Sequence, residues 1–316
     1  MILLWGMSQE SPIAAVHNAL QRRGAPVEFL DQREVLATEV ELCVDADIRG
    51  VVLVGSREID LGAVTAVYHR PYDWRHLPEI EKAGPGSLAW CHACEVQDAL
   101  LCWLELTSAQ VINRVQAMAV NNSKPLQACL IQSLGFDIPE TLITTDPSTA
   151  LEFWEKHGTV IYKSISSVRS IVSRLTPEHR RRLADIACCP TQFQRYIPGH
   201  DYRVHVVGDE VFACEIISEA DDYRYATRQG AHVEIRSYDL PKDTADQCRV
   251  LAAAMDLLVA GIDLRRTPEG QWYCFEVNPS PAFSYYQAAT NQPIDEAIAR
   301  LLGESSVIAR CARPCL

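Results

Sequence analysis

Two carboxylates and a carboxamide near the C-terminal end of this 316-residue chain are spaced so that they could hold a hard cation. Asp263 lies in the apolar run VAGIDL, and Glu276 and Asn278 lie in FEVNPSP, with Thr267-Pro268-Glu269-Gly270 between them as a turn. The two runs predict a hairpin from Gly261 to Val277. With Arg266 opposite Gln271, Asp263 opposes Cys274, and alternation puts Cys274, Glu276 and Asn278 on the face of Asp263. Asp263 and Glu276 are then diagonal neighbours. Carboxylates held that close repel unless a cation separates them. Oxygen donors of this kind suit Mg²⁺ or Mn²⁺, which retain waters and take substrate phosphates as further ligands. The alternative is an acidic strand face turned to solvent.

Lys124 and Lys163 each stand where a strand or loop meets a turn, and Lys163 follows the interior-looking Val160-Ile161-Tyr162. An ammonium is a compact charge suited to phosphate, so two of them facing a cation site suggest a polyphosphate between. Gln192 to Gly199 (QFQRYIPG) reads as a connecting strand whose backbone could meet an adenine edge. No Ser-His-Asp constellation can be argued from spacing, and no covalent nucleophile is required.

The elements that must position these groups alternate from the start. Ile2–Trp5, Val27–Leu30, Gly50–Val54 and Ala63–Tyr68 read as strands around a helix over Pro12–Arg23, predicting a small parallel α/β layer. Leu88–Ser108 has a helical pattern, and a second helix runs from about Asn121 to Leu134, where Gly135 stops it. Ile138–Thr144 and Thr159–Lys163 read as strands flanking a helix over Pro147–Lys156, and a serine-rich loop, Ser164–Ser170 with Arg169, follows. Thr191–Ile197, Asp201–Val207 and Glu210–Ser218 are strands, Ala245–Leu258 a helix, and Ile294–Leu302 a closing helix. His179-Arg180-Arg181-Arg182 reads as the solvated face of a helix.

A net charge of −12 argues against a nucleic-acid partner held by a broad basic surface, and no run approaches a membrane span. Met1–Gly6 reads as a first strand and not as a signal peptide, so the expected location is cytoplasmic. Twelve cysteines in a chain of this size read as reduced small hydrophobes in apolar surroundings. Cys91-His92-Ala93-Cys94 has zinc-like spacing but no second pair follows it.

The order Lys124, Lys163, Gln194-Arg195-Tyr196-Ile197-Pro198-Gly199-His200-Asp201-Tyr202-Arg203, Asp263, Glu276-Val277-Asn278-Pro279 resembles the ATP-grasp superfamily in its RimK-like branch, over roughly residues 111–303. Within it the chain is similar to the graspetide (microviridin-type) ribosomal-peptide ligases. The echoes are Tyr68-His69-Arg70-Pro71, Val111–Asp146, Asp222-Tyr223-Arg224, and Gln292-Pro293-Ile294 leading into Ala297-Ile298-Ala299. Ser280-Pro281-Ala282 is closer to the RimK pattern, and Ser164–Ser170 replaces a glycine-rich loop. The resemblance implies an ATP-grasp fold of mixed α/β and α+β class. It would comprise an N-terminal pre-ATP-grasp domain (1–110), a central subdomain (111–190) and a C-terminal subdomain with the metal site (191–316).

It also implies an ATP-dependent carboxylate–amine or carboxylate–hydroxyl ligase working through an acyl phosphate. Lys124 and Lys163 would reach phosphates, and Gln194, Arg195, Tyr196, Ile197 and Asp201 would bind nucleotide. Asp263, Glu276 and Asn278 would hold Mg²⁺ or Mn²⁺, and Arg203 and Arg224 would stabilise developing charge. The residues leave open a structural ion pair of either arginine with Asp201 or Asp221. The implied partner is a peptide or amino-acid substrate, with a dimer or larger assembly. A small-molecule amino-acid ligase and a non-catalytic nucleotide-binding regulator are the competing readings.

Overall fold

The computed structural model describes residues 1–45, 48–165, 172–218 and 232–311, with side chains in the last helix followed to Glu304. The serine loop from Ser166 with Arg169, the Asp222-Tyr223-Arg224 segment with Asp221, and Cys315 fall outside the described residues, as does the side chain of Cys311.

The N-terminal third is built on β1 (Ile2–Gly6), α1 (Ser11–Arg22) and β2 (Val27–Asp31), then β3 (Thr38–Val44), β4 (Ile48–Val54), β5 (Arg57–Asp60) and β6 (Ala66–Arg70). Helices α2 (Pro78–Ala83) and α3 (Leu88–Leu106) lead to β7 (Gln110–Ile112). A parallel sheet has the order β2-β1-β6-β7, and β1 is buried along its whole length, as a central parallel strand must be. Its alternate residues enter two different cores. Leu3 and Trp5 pack with α3 through Leu100 and Trp103, whereas Ile2 and Leu4 pack with α1 and the C-terminal helix.

The expectation for Gly50–Val54 needs correction. That segment lies in β4, the middle of a separate antiparallel sheet β3-β4-β5 and not in the parallel layer. The reason is local: Val54 pairs with Arg57 across the two-residue turn Gly55-Ser56, which folds the chain straight back.

The middle of the chain forms α4 (Val115–Met118), α5 (Lys124–Ser133), β8 (Thr141–Thr144), α6 (Pro147–His157), β9 (Val160–Ser164), β10 (Ser173–Arg174) and β11 (Thr191–Arg195). These strands make an antiparallel sheet ordered β10-β9-β11-β8. β11, expected to open the C-terminal unit, therefore lies in the central sheet, where Gln192 pairs with Lys163 and Gln194 with Ile161.

The remainder is a five-stranded antiparallel sheet, ordered β14-β13-β12-β15-β16, built from β12 (His200–Val207), β13 (Glu210–Ser218), β14 (Val233–Tyr238), β15 (Val259–Arg266) and β16 (Trp272–Asn278). α7 (Lys242–Ala254) follows β14 and ends four residues before the expected Leu258, two residues ahead of Asp256, whose φ of +55° reverses the chain. α5 and α7 cover one face of this sheet through Ile131, Cys248 and Leu251. After β16 come α8 (Ser284–Thr290) and α9 (Ile294–Cys311), and α9 returns to the N-terminal parallel sheet through Ile294, Ile298 and Leu302.

Among the described residues no helix is long and apolar enough to cross a membrane. Ten cysteines are described, all as free thiols, but only Cys214, Cys248 and Cys274 are buried. The expectation of apolar surroundings thus fails for most of them, because they fall on outward faces of helices and of β3 or in loops. The zinc-like quartet is also accounted for: His92 spends Nε2 on the carbonyls of Val35 and Thr38 at 3.1 and 2.9 Å.

Candidate active site

The β15–β16 hairpin forms, with a register different from the expected one. Arg266 pairs with Trp272 across a loop of Thr267 to Gln271, and Leu264, not Asp263, pairs with Cys274. A bulge at Phe275 then restores one residue, so Asp263 sits directly opposite Glu276, and Gly261 opposite Asn278. The cause is core packing. Cys274 and Val277 are both sealed in the core, three positions apart, which regular alternation cannot achieve and one extra residue can. Cys274 consequently leaves the face of Asp263, and burial pushes its thiol pKa well above the ordinary value. Glu276 becomes a direct cross-strand neighbour of Asp263, closer than the diagonal pairing would have placed it.

Each carboxylate carries a cation. Lys124, at the N-terminus of α5, donates to Glu276 Oε2 at 3.3 Å, and Arg203 Nη1 on β12 donates to Asp263 Oδ1 at 2.6 Å. Arg203 is therefore paired with Asp263 and not with Asp201. The partner of Asp201 is Arg265, whose Nε and Nη2 grip its two oxygens at 2.7 and 2.8 Å while Nη1 reaches the Ile197 carbonyl at 2.9 Å.

A cleft opens between the central sheet and the C-terminal sheet. Lys163, Gln194, Tyr196, Ile197, Asp201, Asp263 and Glu276 all line it, with Ile161, Leu264, Arg265 and Phe275 supplying apolar and cationic wall. Lys163 is buried at its floor, 8% exposed. In the hinge between β11 and β12, the Arg195 and Tyr196 amides are committed to the carbonyls of Glu140 and Thr159, at 2.9 and 3.0 Å. Among the described residues the Tyr196 carbonyl and the Ile197 amide take no backbone partner. Arg195 turns out of the cleft and donates to Tyr273 Oη at 3.0 Å. Gly199 is needed at this hinge: its φ is +144°, and a Cβ there would lie 2.1 Å from the Arg266 carbonyl oxygen.

Asn278 does not line this cleft. Its Oδ1 accepts the Ser280 amide at 2.9 Å and turns the chain after β16. Among the described residues no group of three or more His, Cys, Asp or Glu side chains could cage a metal. Two facing carboxylates with a nearby carboxamide suit an ion that takes its remaining ligands from water and phosphate, as Mg²⁺ does.

Several supporting residues were not singled out in the sequence. Gln127 on α5 is buried and pairs with both backbone groups of Val277, donating to its carbonyl at 2.7 Å and accepting its amide at 3.0 Å. Asn113 donates from Nδ2 to the carbonyls of Val259 and Pro279, both at 2.6 Å, and accepts the Leu258 and Val259 amides on Oδ1. His205, 1% exposed, stands beside Arg203 with its ring tilted against that of Tyr286, and burial holds its pKa well below the ordinary value. Only Arg265 had a readable signal, two residues after Asp263 and so on the same strand face.

A family model described as a RimK-like ATP-grasp domain matches residues 110–302. The chain belongs to the RimK-like ATP-grasp family. Solved structures share its fold over almost the whole chain. The macrocyclase MdnC from Microcystis aeruginosa MRC, bound with the precursor peptide MdnA, is 24% identical, with a TM-score of 0.82 over 96% of this chain and 99% of that one. A RiPP-associated ATP-grasp ligase from Chryseobacterium gregarium, in complex with ADP and a leader and core peptide, is 22% identical with the same TM-score, over 96% of each chain. The ATP-grasp ligase PsnB, complexed with a phosphomimetic variant of a minimal precursor, Mg and ADP, is 23% identical with a TM-score of 0.79, over 96% and 98%. No curated protein matches the chain. In ATP-grasp terms, the observed arrangement places a two-carboxylate strand pair across the cleft from the Lys163 strand.

Proposed function

We propose that the protein is an ATP-dependent ligase that joins a carboxylate to an amine or hydroxyl of a ribosomal peptide, releasing ADP and phosphate. The observation that carries this reading is the direct opposition of Asp263 and Glu276 in the cleft that Lys163 floors. Adenine would meet the Tyr196 carbonyl and the Ile197 amide. Lys163 and Lys124 would neutralise phosphate oxygens, and Arg265 would fix the hinge through Asp201. Mg²⁺, or Mn²⁺ in its place, would be held by Asp263 and Glu276, with Asn278 adjacent, and would supply charge neutralisation between the phosphates.

A substrate carboxylate oxygen attacks the γ-phosphorus and ADP leaves. The nucleophile then attacks the acyl carbonyl, loses its proton, and phosphate leaves. Arg203, held against Asp263, would stabilise the oxyanion, with Arg224 as a second candidate. The peptide substrate is carried over from MdnC, the C. gregarium ligase and PsnB, whose structures hold precursor peptides.

The test is Glu276→Gln. It should reduce substrate-dependent ADP formation by at least a hundredfold while leaving the circular dichroism spectrum and unfolding midpoint close to wild type. Near-normal turnover would overturn the site. A mass change on a short acidic precursor encoded beside the gene separates intramolecular from intermolecular ligation: loss of water means cyclisation, and a gain means addition.

A further inference from the structure

In the N-terminal sheet β1 lies between β2 and β6, so the chain leaves β1 toward one side and β6 occupies the other. The carboxyl ends of β1 and β6 thus form the switch point at which open parallel sheets bind ligands. A cavity of about 500 Å³ sits there, lined by Met7, Glu10, Arg70, Tyr72, Met118 and Ser280 among others. Ser280 is two residues past Asn278 and its amide is held by that side chain, so the cavity adjoins the end of the candidate metal strand.

The charges lining the cavity are unequally committed. Arg70 spends Nε and Nη2 on Glu10 Oε1, at 2.9 and 2.7 Å, and Nη1 on Ser280 Oγ and the Pro281 carbonyl, at 2.8 and 3.1 Å. His69 donates Nε2–H to the Asn113 carbonyl at 2.6 Å and is kept neutral by burial. Glu10 Oε2, by contrast, accepts no hydrogen bond among the described residues. The charged atom left without a hydrogen bond is therefore the second oxygen of the Arg70-paired Glu10 carboxylate, in a cavity also lined by the flexible apolar chains of Met7 and Met118. A carboxylate guest would find four of the five guanidinium N–H groups already engaged. A hydroxyl could donate one hydrogen bond to that oxygen but brings no charge of its own, whereas an ammonium adds the attraction of an ion pair.

We propose that this cavity receives the side chain of a primary aliphatic amine, of the lysine type. Its methylenes would lie on the two methionines and its ammonium on Glu10 Oε2, so that amines are selected over hydroxyls and the bond made is an amide. This deepens the ligase reading and rests on it.

The test uses Nα-acetyl-lysine methylamide and its serine and norleucine counterparts, titrated by ligand-observed NMR against the full chain with ADP and Mg²⁺. The lysine compound should bind at least tenfold more tightly than the other two. That advantage should vanish in Glu10→Gln and survive within about threefold in Glu10→Asp, where ADP affinity serves as the folding control. A lysine compound that binds no better than norleucine, or that binds Glu10→Gln as well as wild type, overturns the proposal. Wild-type protein that fails to bind ADP would instead count against the ligase reading, and the ranking of the three compounds would still decide the cavity.

Discussion

Arg203 owes its aim to the absence of a side chain at Gly261. A Cβ there would stand 2.2 Å from Arg203 Nη2 and 2.7 Å from the Pro281 Cβ, so the guanidinium lies flat against bare backbone. It is then bounded by Asp263 on one side and by the Tyr286 ring, 5.5 Å from its centroid, on the other. Gly261→Ala should therefore displace the guanidinium before it disturbs the fold. Overpacking of this kind costs about 1–3 kcal/mol, yet turnover should fall at least tenfold. Thermal unfolding followed by circular dichroism, set against ADP release, checks this; a loss of stability with unchanged turnover would remove Arg203 from the mechanism. Lysine at position 203 should not rescue activity, because it cannot span Asp263 and the ring face with one rigid fork.

At the scale of elements, β16 is the outer strand of its sheet, and the outward backbone of Val277 pairs with the side chain of Gln127 on α5 instead of with another strand. The same helix carries Lys124, so its placement and that of Glu276 are coupled. Gln127→Leu leaves a buried amide and carbonyl without partners, which should cost about 2–4 kcal/mol. It should also raise the Mg²⁺ concentration needed for half-maximal turnover severalfold, as Glu276 loses its support. Urea denaturation and a Mg²⁺ titration read the two effects separately, and an unchanged unfolding midpoint would show that α5 is held by other contacts. The sequence made the hairpin and the identities of its carboxylates legible, since alternation and turn chemistry are local. It did not reveal the bulge at Phe275, because that depends on Cys274 and Val277 both being demanded by a core assembled from α5 and α7. Gln127 and Asn113 were equally silent: a single carboxamide carries no periodicity, and its partners are 150 and 146 residues away. Strands β3 and β14 were missed although Val40, Leu42 and Val44, and Val233 and Ile235, alternate with polar neighbours, and the four residues of β5 are too few to show a period.

At the scale of the whole molecule, the N-terminal sheet is joined to the site by α9, by Arg70 through Ser280 and Pro281, and by a buried polar chain. His69 on β6 donates to the Asn113 carbonyl, and Asn113 in turn holds the start of β15 and the residue after Asn278. Because Nε2 carries the proton in that bond, Nδ1 must be the bare nitrogen, and it has no hydrogen-bond partner among the described residues. Protonation would place a second N–H there with nothing to receive it, and burial accordingly holds the His69 pKa down to about 4. An unfolded chain protonates this group near pH 6.5. Between those values the unfolded state binds more protons, so the stability from neutral His69 is complete above about pH 6.5 and is lost as pH falls toward 4, by roughly 3 kcal/mol in all. His205, whose pKa burial also lowers, acts in the same direction. His69→Gln keeps a donor for the Asn113 carbonyl and cannot titrate. Its urea midpoint should fall below wild type at pH 7.5 and converge on it by about pH 4.5. Parallel pH profiles for the two proteins would show that the link between the N-terminal sheet and the site does not run through a neutral His69.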